Sequence, residues 1–485
     1  MPEISVYRVG SVATEHPDYI KQKNLWRKIR DCMDGEEKIK DSGETYLPRP
    51  SGMTGEYADA YLPYKERSHF PLIVSYALSG ALGVIITKLP EFNVPKELEY
   101  ILKTSTKDGR SLQQLFIDMV IEVFQTGRAP ILIDIFSEKN EFRLVHYKAE
   151  NLINWKLAIQ QSEKDLLLGV LKENRPALTE KNDPFSQDYD DMYRVLSKDA
   201  SGHYITQVID FQGKLYPSSV KTPMFMGRST CKIPLFVAGS LNNSFEAQPI
   251  PLIPVANCSI QIYRKEADLS NSEYLSCNPT LCIVGAENNK DIPNVVGSSV
   301  LIVLPNEQAR VFYTTTDTAA LQHVKNHIDS LYEEAIRHGV AILDARKGVE
   351  AAEALRIRQA TQSASIYSIY LSTANALCNA LKEMCKWAGY NDSKVTVDAP
   401  SALTQALPDS SLLKELIEGH LSKVIPLDVL HRYMVQSGLV DSKVNFEEYK
   451  NTLKKEKEEN PEETLTVKTN LNKVVNKTEL NPKIQ

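Results

Sequence analysis

Two long helical patterns dominate the second half of the chain and meet at a short charged break. In the first, apolar side chains recur at alternating spacings of three and four, which predicts a helix over residues 316–342. Its apolar stripe contains Leu321, Val324, Ile328 and Leu331. The second pattern predicts a helix over residues 350–388, which would be roughly 58 Å long at the usual rise per residue. Helices of this length need a large neighbouring structure.

A similar stripe with less regular spacing precedes the first pattern. Val255, Cys258 and Ile262 predict a helix over residues 251–276, directly after a proline-rich run. Between the two stripes, residues 277–315 contain short β-type runs in only about 40 residues, too few for an independent domain. Two long helices around a small β module indicate a stalk with a tip.

Mixed helix and strand patterns predict an α+β domain over residues 46–250. Ser111 and Gln114 form a capping box for an amphipathic helix that ends at Gly127. The apolar runs that follow, beginning with residues 130–136, predict a series of strands.

The two ends of the chain differ in composition from this domain. Residues 1–45 are polar apart from one candidate helix and are expected to form an N-terminal arm. Residues 391–450 contain two short helical patterns. Residues 451–485 are rich in Lys, Glu, Thr and Asn with almost no aromatic side chains, which predicts a tail that is disordered or is ordered by a partner.

Length, charge and cysteine usage limit the possible functions. A chain of 485 residues with 42% hydrophobic residues can bury a sizeable core. Its formal net charge of -6 argues against tight duplex binding, which usually needs a basic face. Seven cysteines without a C-x-x-C pair favour free thiols in a reducing compartment.

Two charge-free windows raise the question of a membrane span, and neither predicts one. Residues 72–86 are shorter than the roughly 20 residues that a spanning helix needs. Residues 359–381 are long enough but contain Gln, Ser, Thr and Asn, whose polar groups would be unsatisfied in lipid. We expect no membrane partner.

The sequence lacks the common catalytic motifs, including the phosphate loop, the dinucleotide-binding loop, the zinc-protease helix and the nucleophile elbow. His323 and His327 lie one helical turn apart, but the Glu that a hydrolytic zinc site needs is absent, so a solvated pair is expected. The other candidates are interpreted as structural: Cys378 and Cys385 as buried thiols, Asp134 and Asp210 as lone strand-end carboxylates. No catalytic residue, metal ligand or cofactor is predicted.

Short sequence motifs occur within the predicted domain and helices, in a fixed order along the chain. The α+β region carries them at residues 57–67, 78–83, 127–128 and 153–155. The first stalk helix carries the run at 255–268, followed by Asn278-Pro279-Thr280 and Val284-Gly285, and the long helix begins with the run at 348–356. In their order, over about residues 46–440, these features resemble the portal proteins of tailed bacteriophages.

The resemblance implies a portal-like α+β fold, in which a wing domain leads through two stem helices and a clip to a long wing-crossing helix and a helical crown. Its parts in this chain would be the N-terminal arm (1–45), wing (46–250), first stem helix (251–276), clip (277–315), second stem helix (316–342), tunnel loop (343–349), long wing helix (350–390), crown-like region (391–450) and tail (451–485).

The resemblance also implies a structural protein without enzymatic activity, located in the virion at the portal vertex of the capsid and assembled in the host cytoplasm. Twelve copies would form a ring through which the large subunit of a terminase drives double-stranded DNA without sequence specificity, and through which DNA later leaves. Further expected partners are head-completion adaptor or tail proteins and the major capsid and scaffolding proteins.

Two groups of residues have specific roles under this resemblance. The tunnel loop contains Asp344, Arg346 and Lys347, which would face the DNA. The stem helices would bury their apolar stripes against adjacent subunits along a seam made of Val255, Cys258, Ile262, Leu321, Val324, Ile328 and Leu331.

Two other classes of protein remain open from the residues alone. A scaffold or minor head protein with coiled-coil-like helices would share the long helices but would not require a small module between them. An enzyme with an unrecognised site would be separated by activity assays on the purified protein.

Overall fold

The computed structural model describes residues 12–136, 141–159, 164–176, 189–210, 220–277, 280–285, 308, 310–314, 318–340, 352–399, 410–422, 424–436, 440 and 445–459. The chain divides into a larger unit, Met1–Ser401, and a smaller unit, Ala402–Gln485.

Helices occur in both units. The α-helices are α1 (Pro17–Asp34), α2 (Glu36–Asp41), α3 (Tyr61–Arg67), α4 (Ile73–Ile86), α5 (Tyr100–Lys103), α6 (Leu112–Thr126), α7 (Ile253–Cys277), α8 (Thr318–Ala335), α9 (Ala352–Ala388), α10 (Ser410–Leu421), α11 (Leu427–Gln436) and α12 (Phe446–Glu459). Short 3₁₀ turns are Gly43–Thr45, Gly55–Ala60, Lys96–Leu98, Ala149–Asn151 and Asp392–Lys394, and Ile336–Val340 forms a π turn.

The described strands belong to the larger unit and pair antiparallel. They are β1 (Glu91–Asn93), β2 (Arg128–Phe136), β3 (Glu141–His146), β4 (Leu152–Ile159), β5 (Lys164–Pro176), β6 (Tyr189–Lys198), β7 (Tyr204–Asp210), β8 (Leu235–Gly239), β9 (Thr280–Val284), β10 (Arg310–Thr314) and β11 (Thr396–Asp398). The sheets have the orders β3-β2-β8, β4-β5-β6-β7, β9-β10 and β1-β11.

The core of the larger unit forms where α6 and α9 meet the β3-β2-β8 sheet. Helix α6 begins at the predicted capping box, in which Ser111 Oγ accepts from the Gln114 N–H and the Gln114 side chain accepts from the Ser111 N–H. Phe116 of α6 packs edge to face on Tyr370 of α9, with ring centroids 5.1 Å apart. The expected helix and strand around Gly127 are confirmed.

The N-terminal helix α1 is an integral part of this core. We expected residues 1–45 to form an arm, but Trp26 and Ile29 are completely buried. Trp26 Nε1 donates a hydrogen bond of 2.8 Å to the Thr126 carbonyl at the end of α6. The amphipathic pattern of α1 therefore has its apolar partner within the same unit.

Helices α7 and α8 and the β9-β10 hairpin occupy the region predicted as a stalk with a tip. Helix α7 leads directly towards β9, and β10 precedes α8. The register runs from Thr280 opposite Thr314 to Val284 opposite Arg310. Residues 286–307, between the two strands, lie outside the described residues.

Helix α9 is 37 residues long and matches the second long helical pattern. Its described inner face contacts α6 and β8. Ser372 Oγ accepts from the Gly239 N–H at 3.1 Å, which fixes the helix against the end of β8. The long helix is therefore anchored in the sheet domain.

The smaller unit contains α10, α11 and α12. The first two helices confirm the two short helical patterns. Helix α12 runs from Phe446 to Glu459, so residues 451–459 are helical where we expected a disordered tail. The remainder of that tail, residues 460–485, lies outside the described residues.

Taken together, these elements confirm the α+β class. None of the helices that the structure describes has both the length and the apolar character needed to cross a membrane.

Candidate functional site

The paired helices α7 and α8 are the feature on which the sequence-based hypothesis depends. They run antiparallel: Lys325 Nζ lies 2.9 Å from Glu273 Oε1 near the hairpin end, and Gln261 and Leu331 line one cleft further along. The two helices make extensive contact with each other.

The predicted oligomer seam lies mainly inside the chain. Its five buried members are Val255, Cys258, Ile262, Ile328 and Leu331, whereas Leu321 and Val324 are half-buried. We expected these stripes to be buried against adjacent subunits, but a single chain already covers the five buried positions. The stripes are covered because helices of one chain already pack on each other, so these five side chains are not free to contact a second copy.

The outer face of α8 is polar. His323 and His327 are both exposed, as expected for a solvated pair. Within the described part of the chain, no group of three His, Cys, Asp or Glu side chains is placed to hold a metal ion.

The predicted tunnel-loop residues Asp344, Arg346 and Lys347 lie outside the described residues. The described chain before them ends in the π turn, which includes Gly339. The π turn Ile336–Val340 follows α8 without a break.

The cysteines of α9 are confirmed as buried thiols. Cys385 is completely buried and Cys378 is 6% exposed. Burial raises the pKa of the Cys385 thiol to about 11, which keeps it protonated at neutral pH. These side chains contribute to packing rather than to nucleophilic chemistry.

Asp134 is not the lone carboxylate that we expected. Arg194 Nη1 of β6 lies 3.2 Å from Asp134 Oδ2, and Arg194 Nε lies 2.8 Å from Glu173 Oε1. Tyr147 donates to the same Glu173 carboxylate at 2.6 Å. This network links the two larger sheets, and its partners were invisible in the sequence because they lie on separate strands. Asp210, the other candidate, is only 8% exposed.

Arg128 occupies a buried aromatic cage that sequence reasoning missed. Its guanidinium lies 4.6 Å from the Trp26 ring centroid and 4.8 Å from that of Trp155. Its Nη2 donates to the Ala149 and Leu152 carbonyls, each at 2.8 Å. Burial lowers the pKa of Arg128 to about 10, so it remains charged at neutral pH. The cage joins α1, β2 and β4.

A buried ion network lies beside the cage. Arg30 Nη2 donates to Glu122 Oε1 at 2.6 Å, and Arg30 Nε donates to Glu150 Oε1 at 3.0 Å. Glu122 Oε1 also accepts from the Ala149 N–H at 2.8 Å. Burial raises the pKa of Glu122, and the contacts with Arg30 and Ala149 oppose that shift. The network ties α1 to α6 and to the turn before β4.

His146 on β3 gives the fold a pH dependence. Burial lowers the pKa of His146 from 6.5 to about 4. As the pH falls, His146 therefore becomes protonated at a higher pH in the unfolded chain than in the folded chain. Above pH 6.5 the His146 imidazole is neutral in both states and does not lower the free energy of unfolding. As the pH falls towards 4, protonation of His146 in the unfolded chain lowers the free energy of unfolding by up to about 3 kcal/mol.

We expect His146→Gln to weaken this acid dependence. Urea unfolding at pH 7.5, 5.5 and 4.5 measures it as the free energy of unfolding, and the exposed His323→Gln is the matched control. Equal pH slopes for wild type and His146→Gln would contradict the assignment.

Comparisons with known proteins bear on part of this region. Residues 251–388 match a family model described as Domain of unknown function (DUF4055). The match runs from just before α7 to the end of α9 and so includes the helix pair, the hairpin strands and the long helix. No curated protein matches the chain.

Proposed function

We propose that this protein is a portal protein of a tailed bacteriophage. Twelve copies would form the ring at one capsid vertex through which a terminase packages DNA and through which DNA leaves. The proposal rests on the resemblance in the order of sequence features, and the arrangement of α7, α8 and α9 supports it.

One observation carries the proposal. Two antiparallel helices project from an α+β domain and are joined through a small β module, and the chain then returns in a helix of 37 residues anchored on that domain. A scaffold protein with coiled-coil-like helices requires neither the module nor the returning helix. The family match begins and ends with the same set of elements.

The charge balance is compatible with a channel for DNA. A strongly basic channel would hold the duplex through release of counterions, whereas a neutral or mildly acidic one lets it slide. The chain carries a formal net charge of -6. In this proposal, adaptor or tail proteins, capsid and scaffolding proteins and the terminase bind the ring from outside, in the virion or in the host cytoplasm during assembly.

The burial of the α7–α8 stripes changes where neighbouring copies would touch. Subunit contacts would use surfaces other than the five buried seam positions. The described polar outer face of α8, with Gln322, His323 and Asn326, is one surface available to a neighbour.

We expect the purified protein to form closed rings with a central channel. Negative-stain microscopy shows the ring directly, and mass photometry at about micromolar concentration gives its mass. Monomers or dimers alone, across a range of salt and pH, would contradict the proposal. Open filaments would favour the scaffold alternative, because a contact that does not close by rotation propagates.

The double variant Arg346→Ala/Lys347→Ala is expected to change the DNA packaged or retained per particle while leaving the ring intact. Copies of these cations around the channel would make transient, salt-sensitive contacts with phosphate oxygens. Lys96→Ala/Lys107→Ala removes the same charge from exposed positions elsewhere and should leave packaging unchanged. Normal packaging by the loop variant would exclude the loop from the mechanism, and loss of rings would place it in a subunit contact.

A further inference from the structure

A groove runs along the side of α7 that faces α1, α3 and α8. It consists of two clefts, with volumes of about 410 and about 430 Å³, that share Gln261 and Arg264. Each cleft lies within the size range of pockets that bind small ligands. The two clefts differ in chemistry, which limits what can occupy them together.

The first cleft is lined by cations and carboxamides. Arg27 and Lys28 come from α1 and Arg264 from α7, and the side chains of Asn24 and Asn257 lie between them. No carboxylate of the described residues lines it. Such a concentration of positive charge is unexpected on a chain whose formal net charge is -6.

These cations are only partly neutralised by the protein itself. Arg264 Nε donates to the Tyr46 carbonyl at 2.7 Å, and its two Nη atoms have no hydrogen-bond partner among the described residues. Lys28 Nζ donates to Asn257 Oδ1 at 3.1 Å. Arg27 lies 3.7 Å from the Asp31 carboxylate, which already accepts from the Tyr46 hydroxyl at 2.6 Å. Three cations thus face one carboxylate that lies behind the cleft.

The second cleft has an apolar wall and a charged wall. Leu47, Pro48, Pro50 and Leu331 form the apolar wall, and the shared Arg264, Lys265 and His327 lie on the charged one. It also contains Asp268, whose Oδ1 accepts from the Tyr64 hydroxyl at 2.8 Å. Asp268 and the apolar wall interrupt the row of cations that a continuous phosphate backbone would need, which disfavours nucleic acid.

We propose that this groove binds a short extended peptide of a partner protein, with acidic side chains in the first cleft and an apolar side chain in the second. The free Nη atoms of Arg264 suit bidentate contact with a carboxylate. The carboxamides of Asn24, Asn257 and Gln261 can pair with peptide N–H and C=O groups, which an extended segment leaves unsatisfied. The proposal does not depend on ring formation.

A selection from random dodecapeptides displayed on phage tests the groove without assuming a partner. Full-length wild type is the target, and Arg27→Gln/Lys28→Gln serves in a parallel selection. Synthetic copies of enriched peptides are then measured by fluorescence anisotropy at about 50 and about 300 mM salt. We expect enriched sequences to carry acidic residues followed by an apolar residue.

Their affinity should fall about tenfold or more for Arg27→Gln/Lys28→Gln and for Arg264→Lys, and should weaken as salt rises. Lys96→Gln/Lys107→Gln, which removes two exposed cations elsewhere, is the matched charge control and should bind as wild type does. Circular dichroism and thermal unfolding confirm that each variant is folded.

Three results would overturn the proposal. They are the absence of enriched peptides, enriched peptides without the acidic and apolar pattern, and binding that the groove variants leave unchanged. A single-stranded dodecanucleotide that displaces the peptide and binds more tightly would instead assign the groove to nucleic acid.

Discussion

Arg30→Met is expected to lower the free energy of unfolding by about 3–5 kcal/mol, because it leaves the buried Glu122 carboxylate without its cation. The Glu122 side chain is 5% exposed, and Arg30 is the basic side chain within ion-pair distance of it in the described structure. The remaining donor, the Ala149 N–H, cannot neutralise the charge. Urea unfolding at neutral pH measures the loss.

A double-mutant cycle separates the ion pair from the loss of packing. Arg30→Met/Glu122→Gln should be more stable than the sum of the two single changes predicts, because the neutral amide no longer needs the cation. Arg110→Met removes an exposed arginine that pairs with Asp108 and Asp118, and should cost far less stability than Arg30→Met. A cost for Arg30→Met no larger than that of Arg110→Met would contradict the assigned role of the network.

Gly127→Ala is expected to cost about 2–4 kcal/mol, since it combines backbone strain with a steric clash. Gly127 ends α6 with φ 79°, in the left-handed region that favours glycine. A Cβ at this position would lie 2.8 Å from the Pro249 carbonyl oxygen, which belongs to the backbone and cannot rotate away. The chain that leads into α7 would therefore have to move.

Gly109→Ala is the matched control for this change. Gly109 has φ +85°, but a Cβ there would meet nothing within 4 Å. It should cost only the strain of the left-handed backbone, about 1 kcal/mol. Thermal and urea unfolding of both variants would distinguish the two contributions. Equal losses would show that the approach of Pro249 to Gly127 has no energetic importance.

Elements defined by local chemistry were predictable from the sequence. The capping box at Ser111 and the glycine at 127 fix α6 through neighbours only a few residues away. Strand β8 was missed because Leu235–Gly239 is short and is defined by pairing with β2, more than a hundred residues earlier. Its hydrogen-bond partners determine the strand more than its own composition does.

Helix α12 was missed for a related reason. Its Lys- and Glu-rich composition resembles that of a solvated tail, and two aromatic side chains attach it to α11. Phe446 and Tyr449 pack on His431, with ring centroids 5.4 and 4.7 Å away. A few contacts of this kind do not appear in average composition.

The apolar stripes of α7 and α8 show how much of the structure the spacing of apolar residues can predict. Alternating spacings of three and four indicate that a helix packs along one side. The spacing carries no information on whether the partner belongs to the same chain. The structure supplies that information, because Ile262 and Ile328 are buried within a single chain. The tunnel-loop assignment stays a prediction.

Helix α7 is packed into the domain at its first turns and is exposed at its last turns. Its first turns are enclosed, with Val255 and Tyr263 completely buried, whereas Tyr274 and Leu275 near the other end are 48% and 55% exposed. Arg67 supports that free end from α3, with its guanidinium 4.1 Å from the Tyr274 ring centroid. A sideways load on the β9-β10 hairpin would cause the largest bending stress where the helix enters the domain. The α7–α8 pair resists this bending, and Arg67 also braces the outer turns through a hydrogen bond of 3.0 Å from its Nη2 to Asn271 Oδ1.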